Sequence, residues 1–275
     1  MISEFLNSWP MFSQSYLAAL FAGLLLSFLG VIVVARAQVF IAAAVAQASM
    51  LGIALDMLLG TGQPAAFAVA FSIIAALATG TRAQRSGTSH EEVTAWIFLL
   101  GASGSILLLA KHPNGLKSVQ ATMASSIIGA AAVDVVTFAT LAAVVGGFVL
   151  VLRQRIVLFV SDPVMAAAVG MRIGAWSLGL ATALGLSTGL VIRSSGLIFT
   201  FGCLVLPALV AKNLCREAGT MFFVAPVVCV ASVLTGLVLA NHYDFPPGQI
   251  IIALLAALLV GAWGWRKFRV VFGGV

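Results

Sequence analysis

The chain has 275 residues, 62% of them hydrophobic and 8% charged, with a mean hydropathy of +1.16. A soluble domain carries about a quarter of its residues as charges, so this composition excludes a water-covered globular protein and marks a polytopic membrane protein. The formal net charge of +6 does not mark nucleic-acid binding, because the basic residues are distributed by membrane side.

A helix needs about 20 apolar residues to cross about 30 Å of hydrocarbon. Such runs are predicted at 14–35, 39–59, 64–80, 91–110, 130–152, 173–192, 196–212, 220–240 and 249–265. The fold class is therefore all-α, with about eight or nine transmembrane helices. The spans follow one another through short links without low-complexity sequence, which predicts one domain over 1–275. The first ten residues carry Glu4 and no Lys or Arg, unlike the basic start of a signal peptide, so the first span is expected to be permanent.

The second span, "VFIAAAVAQASMLGIALD", holds Gln47 and Ser49 near its centre, surrounded by small residues. Further on, "PNGLKSVQATMASSIIG" (113–129) is too polar to span comfortably and reads as a re-entrant helix or outer gate, or as a loop. After the span ending near Leu152 comes "RQRIVLFVSDPVMAAAVGMR", whose middle is predicted to form a short helix near 162–170. Asp162 (or Ser161) is the N-terminal cap candidate, Pro163 suits the first helical position, and Gly170 is a natural stop. At 1.5 Å per residue it is about 10 Å long, too short to cross. Val164, Met165 and Val169 give it an apolar side, and Arg153, Arg155 and Arg172 flank it. It lies on lipid as an interfacial helix, or docks into a groove on a cytoplasmic partner.

In "GLVIRSSGLIFTFGCLVLPALV" the apolar sequence is interrupted at Arg193–Gly196 and restarts as a short span containing Pro207. Proline removes a backbone hydrogen bond and kinks a helix, and broken spans of this kind point to a translocation site. Cys203, Cys215 and Cys229 are odd in number and form no CxxC pair. They read as small packing residues, with a soft-metal contact at Cys203 as the alternative.

With the N-terminus outside and the C-terminus in the cytoplasm, Arg36, Arg82, Arg85, Arg153, Arg155, Arg172, Lys212, Arg216, Arg266, Lys267 and Arg269 fall inside, and only Lys111, Lys117 and Arg193 outside. That bias is the positive-inside pattern, and it predicts a multi-pass protein of the inner (cytoplasmic) membrane. No GxxxxGK[ST] and no HExxH occurs, so nucleotide hydrolysis through a P-loop and zinc-protease chemistry are excluded. No predicted span carries a charged residue near its centre. Ion-coupled transporters keep such groups there, so a secondary transporter and a membrane-embedded enzyme are both disfavoured, and the energy source is expected in another subunit. A non-transporting scaffold is the remaining alternative class.

"FVSDPVMAAAVGMRIGAWSLGLATALGLSTGLVI" is similar to the coupling segment and following helix of the zinc/manganese/iron family of ABC importer permeases, the ABC-3 type. "CLVLPALVAKNL" resembles its LPAxxA segment, "NHYDFPPGQIIIALLAALLV" its last outer loop and final span, and "SSIIGAAAVDV" its FGSILG-type segment. The resemblance covers roughly 14–265. It implies a fold like that of the vitamin B12 and siderophore importer permeases, a dimer with a second copy of the chain, cytoplasmic ATPase subunits that bind ATP, and an extracytoplasmic substrate-binding protein. It also implies a divalent metal as cargo, zinc, manganese or iron, with a metal chelate such as a siderophore complex as the alternative. Apart from transported metal and membrane lipid, no covalently held cofactor is expected. The coupling residues implied are Asp162, Pro163, Val164, Met165, Val169 and Gly170.

In that family the second span commonly reads GDAxSHAxLPG, with aspartate and histidine four residues apart and hence on one helix face. The matching positions here are Ala43 and Gln47, with Leu51 at the proline and Gly52 retained. A neutral amide is a weak, unselective metal ligand. Gln47 therefore bonds a neighbouring helix, with Ala42, Ala43, Ala44 and Ala46 allowing close packing, or lines a path for a cation that keeps its own shell, or borders a wider passage for a chelate. Gln47, Ser49, Gly52, Cys203 and Pro207 are the pathway candidates, and the metal ligands are unassigned.

Overall fold

The computed structural model describes residues 2–81, 90–110, 117, 120 and 129–272. With no water in the hydrocarbon to pair exposed N–H and C=O groups, a spanning segment must satisfy its backbone internally, and the apolar runs form helices. They are α1 (Ile2–Ala35), α2 (Val39–Leu59), α3 (Pro64–Thr81), α4 (His90–Leu109), α5 (Ala132–Val151), α6 (Arg153–Ser161), α7 (Pro163–Ala168), α8 (Ile173–Ser195), α9 (Leu197–Leu214), α10 (Ala218–Tyr243) and α11 (Pro247–Phe272). Among the described residues, eight helices are long and apolar enough to cross a membrane, and the apolar part of α3, Pro64–Gly80, is shorter. Prolines open α3, α7 and α11, where the missing N–H has no intrahelical partner to lose.

Two details depart from the sequence expectations. The first helix begins at Ile2 rather than near residue 14 and carries Pro10 inside it. The segment 153–172 folds into two short helices instead of one. Asp162 sits between them, and its N–H closes α6 on the Leu158 carbonyl at 2.9 Å. The missed helix is marked by Ile156 and Phe159, three residues apart and both buried.

The helices form two compact units. The first comprises residues 1–37, 127–162 and 202–275, and the second 38–126 and 163–201. In the first unit α1 packs against α5 and α10, and α10 against α11. Ala18, Ala19, Ala22, Leu25 and Leu26 of α1 are fully buried. The part of α9 in this unit lies backbone-close to α1 at Leu204 and Gly30.

In the second unit α2 is central, packed on α3, α4 and α8, while α3 lies along α8. The Ser72 hydroxyl of α3 donates to the Gly185 carbonyl of α8 at 2.6 Å. Ala46, Met50, Ile53, Ala54, Ala68, Leu109 and Ile192 form a core cluster. The end of α2 is organised by buried Asp56, whose carboxylate accepts from the Thr61 hydroxyl and from the Gln63 N–H at 2.9 Å. Asp56→Ala would remove both hydrogen bonds that its carboxylate accepts in the turn, and the expected cost is about 2 kcal/mol, read as a lowered thermal midpoint of the purified protein. An unchanged midpoint would show that the α2–α3 turn holds without the carboxylate.

Candidate functional site

The centre of α2 is gripped backbone to backbone. A Cβ on Gly101 of α4 would lie 2.7 Å from the Gln47 carbonyl carbon, and one on Gly52 would lie 2.8 Å from the Phe67 carbonyl carbon of α3. The small residues around Gln47 therefore let two helices approach. Within that grip Gln47 is 9% exposed and Ser49 fully buried. Among the described residues, neither the Gln47 Oε1 nor the Ser49 Oγ has a hydrogen-bond partner. Of the readings open for Gln47, a hydrogen bond from a neighbouring helix to its oxygen is not made. Ala43, at the position where the resemblance would put a carboxylate, is half-buried.

A buried acceptor without a donor costs about 1–3 kcal/mol. The Gln47 Oε1 and Ser49 Oγ thus carry that cost at the centre of α2. Their chemistry is that of neutral oxygen donors. Among the described residues no group of three His, Cys, Asp or Glu side chains comes together as a metal cage.

Cys203 and Pro207 belong to the part of α9 in the first unit, so the pathway candidates divide between the two units. Pro207 has no N–H to offer the carbonyl of Cys203 four residues earlier. Cys203 is fully buried beside the Cys229 thiol of α10, which donates to the Gly23 carbonyl of α1 at 3.3 Å. The three cysteines are free thiols. The pairing of Cys203 with Cys229 had no sequence signal, because the residues stand 26 positions apart on different helices.

The third group is on α7. Gly170 adopts φ +85°, its N–H bonds the Ala167 carbonyl at 3.0 Å, and the Met171 N–H bonds the Ala166 carbonyl at 3.0 Å. That double bond pattern around a left-handed glycine is a Schellman stop. Ala166 is buried, while Val164, Met165 and Val169 are 81%, 54% and 68% exposed. Asp162 and Pro163 lead into the helix from α6.

Two arginine–aromatic contacts escaped the sequence reading. The Arg36 guanidinium carbon lies 4.7 Å from the centroid of Phe159, and that of Arg153 lies 5.2 Å from Phe223. Arg36 is half-buried, and burial lowers its pKa from the ordinary value. The segment 113–129, expected as a gate or a loop, lies almost wholly outside the described residues.

Residues 8–265 match the family model described as the ABC 3 transport family. The chain is 25% identical to a protein of Haemophilus influenzae named a probable iron transport system membrane protein, over 94% of each chain. It is 24% identical to a manganese transport system membrane protein of Halalkalibacterium halodurans, over 94% of this chain and 88% of that one. Among solved structures, PsaBC from Streptococcus pneumoniae in complex with Fab shares the fold. The TM-score is 0.82 at 17% identity, covering 98% of this chain and 99% of that chain.

Proposed function

This chain belongs to the ABC 3 transport family and is a membrane permease subunit, not an enzyme, and from that premise we propose that it imports a divalent metal ion: iron, manganese or zinc. The names of its relatives support iron and manganese. It works as one permease domain over 1–275 and pairs with a second copy. The chain passes between its two units four times, at 37/38, 126/127, 162/163 and 201/202, and the family match runs across both. Cytoplasmic ATPase subunits bind ATP, and an extracytoplasmic binding protein delivers the metal. The N-terminus lies outside the inner (cytoplasmic) membrane and the C-terminus inside, as the positive-inside bias supports. Metal passes Gln47, Ser49 and Gly52 of α2 and Cys203 and Pro207 of α9, without a resident ligand cage.

The observation that carries the coupling role is the exposed apolar triad Val164, Met165 and Val169 on a helix stopped at Gly170. A six-residue helix has little stability of its own, so its sharp ends and outward apolar side chains fit a rigid knob seated in an ATPase groove. Met165→Asp would place a carboxylate in that groove. The expected penalty is about 3 kcal/mol, or roughly a hundredfold weaker ATPase association, read by copurification of the ATPase subunits with the tagged permease. Undiminished copurification and ATP-driven uptake would remove α7 from the contact. Elemental and mass analysis of the binding protein tests the cargo: bound iron, manganese or zinc is expected, and an organic chelate would replace the free-ion reading.

A further inference from the structure

α6 is joined to α7 through the single residue Asp162. Nine residues are too few for a helix to be rigid on its own in water, so α6 depends on what it packs against. It touches α1, α5 and α10 of its own unit, and Ile156 and Phe159 are each 2% exposed. Each of its two halves also carries an arginine contact. Near its C-terminal end the Phe159 ring lies under Arg36, which follows α1. At its first residue Arg153 reaches over Phe223 of α10. The first turn of α10 leaves space for that guanidinium: a Cβ on Gly219 would lie 2.7 Å from the Arg153 Nη2. A guanidinium over an aromatic face is held by the ring quadrupole, and arginine stays charged throughout the physiological range. The two contacts therefore pin α6 to α1 and α10 without a titratable partner.

We propose that α6 is the strut that carries the stroke received by α7 into α1 and α10, and that Arg36 and Arg153 are the positioning residues that hold it through Phe159 and Phe223. This rests on the reading of α7 as the ATPase contact. A short helix free to swivel would absorb the displacement of α7, whereas one pinned at both ends passes it to the two long helices it touches.

The test uses the full importer, permease with its ATPase and binding protein, in proteoliposomes, and reads ATP hydrolysed per metal ion taken up. Phe223 is half exposed, so Phe223→Leu keeps apolar bulk while removing the ring face. That variant is expected to copurify with the ATPase and to hydrolyse ATP within about twofold of the parent, while spending about fivefold or more ATP per ion. Phe223→Tyr, which keeps the ring, should restore the parental ratio, and Gly219→Ala, which pushes Arg153 aside, should reproduce the loss. Phe159→Leu should do the same at the other end. Uptake and hydrolysis falling together at constant ratio would reduce the contacts to a stabilising role and overturn the proposal, as would an unchanged ratio in Phe223→Leu and Phe159→Leu. A parent permease that binds no ATPase would overturn the α7 reading as well, a result separable from failure of the variants alone.

Discussion

Gly30→Ala is expected to lower the thermal midpoint of the purified permease by about 10 °C, corresponding to a destabilisation of about 3 kcal/mol. The reason lies in what a single methyl group would meet. A Cβ at Gly30 would overlap the Leu204 carbonyl oxygen and stand 2.8 Å from its carbonyl carbon. Both belong to helix backbone, which cannot swing aside as a side chain does, so α1 and α9 must separate along their contact. Helices in membranes associate through such close approach, because lipid tails give no hydrophobic drive between them. Two other glycines serve as controls. At Gly146 the nearest atom is the Phe28 ring edge, at 3.0 Å, which can turn, and at Gly147 nothing lies within 4 Å. Alanine at 147 should leave the midpoint unchanged or raise it slightly, and alanine at 146 should fall between. Equal midpoints for Gly30→Ala and Gly147→Ala would show that α1 and α9 do not meet at Leu204.

Gln47→Leu is the second large effect, and its two readouts should move in opposite directions. The Gln47 amide oxygen is buried without a donor, so an apolar side chain of similar length removes an unmet acceptor and should stabilise the protein by about 1 kcal/mol. Uptake should fall about tenfold, the loss of one interaction of about 1.4 kcal/mol with the passing ion. A residue kept only for packing would yield the gain in stability without the loss in transport. If the leucine variant imports metal at the parental rate, Gln47 is not on the path. Thermal unfolding in detergent and uptake into proteoliposomes separate the two outcomes.

The short helix at Pro163–Ala168 was legible because its signals are local: a proline whose missing N–H costs nothing at a first position, and a glycine where φ must be positive. Asp162 stands directly before that helix, as its residue type suggested. A capping side chain beside a proline reads as a helix start, and nothing local reveals that another helix ends on that residue. Its partner α6 is held by Phe159 and Ile156 against helices far away in sequence, so nothing local set it apart from the link between two spans. On α2 the identity of Gln47 and Ser49 as out-of-place polar groups was plain from the sequence, whereas their lack of partners required the arrangement of α3 and α4 around them.

By itself the sequence determined the membrane class, the positions of the apolar helices, the direction of the charge bias and the family resemblance. These follow from composition and from the rule that a chain in lipid must satisfy its backbone within each segment. Only the tertiary structure decided which faces meet: Gly30 on Leu204, Gly101 on Gln47, Cys203 beside Cys229, and the two arginines over Phe159 and Phe223. Helices that are apolar on every side carry no stripe to mark their buried face. Their pairing is set instead by where a missing side chain lets two backbones touch, and that is a property of two segments at once.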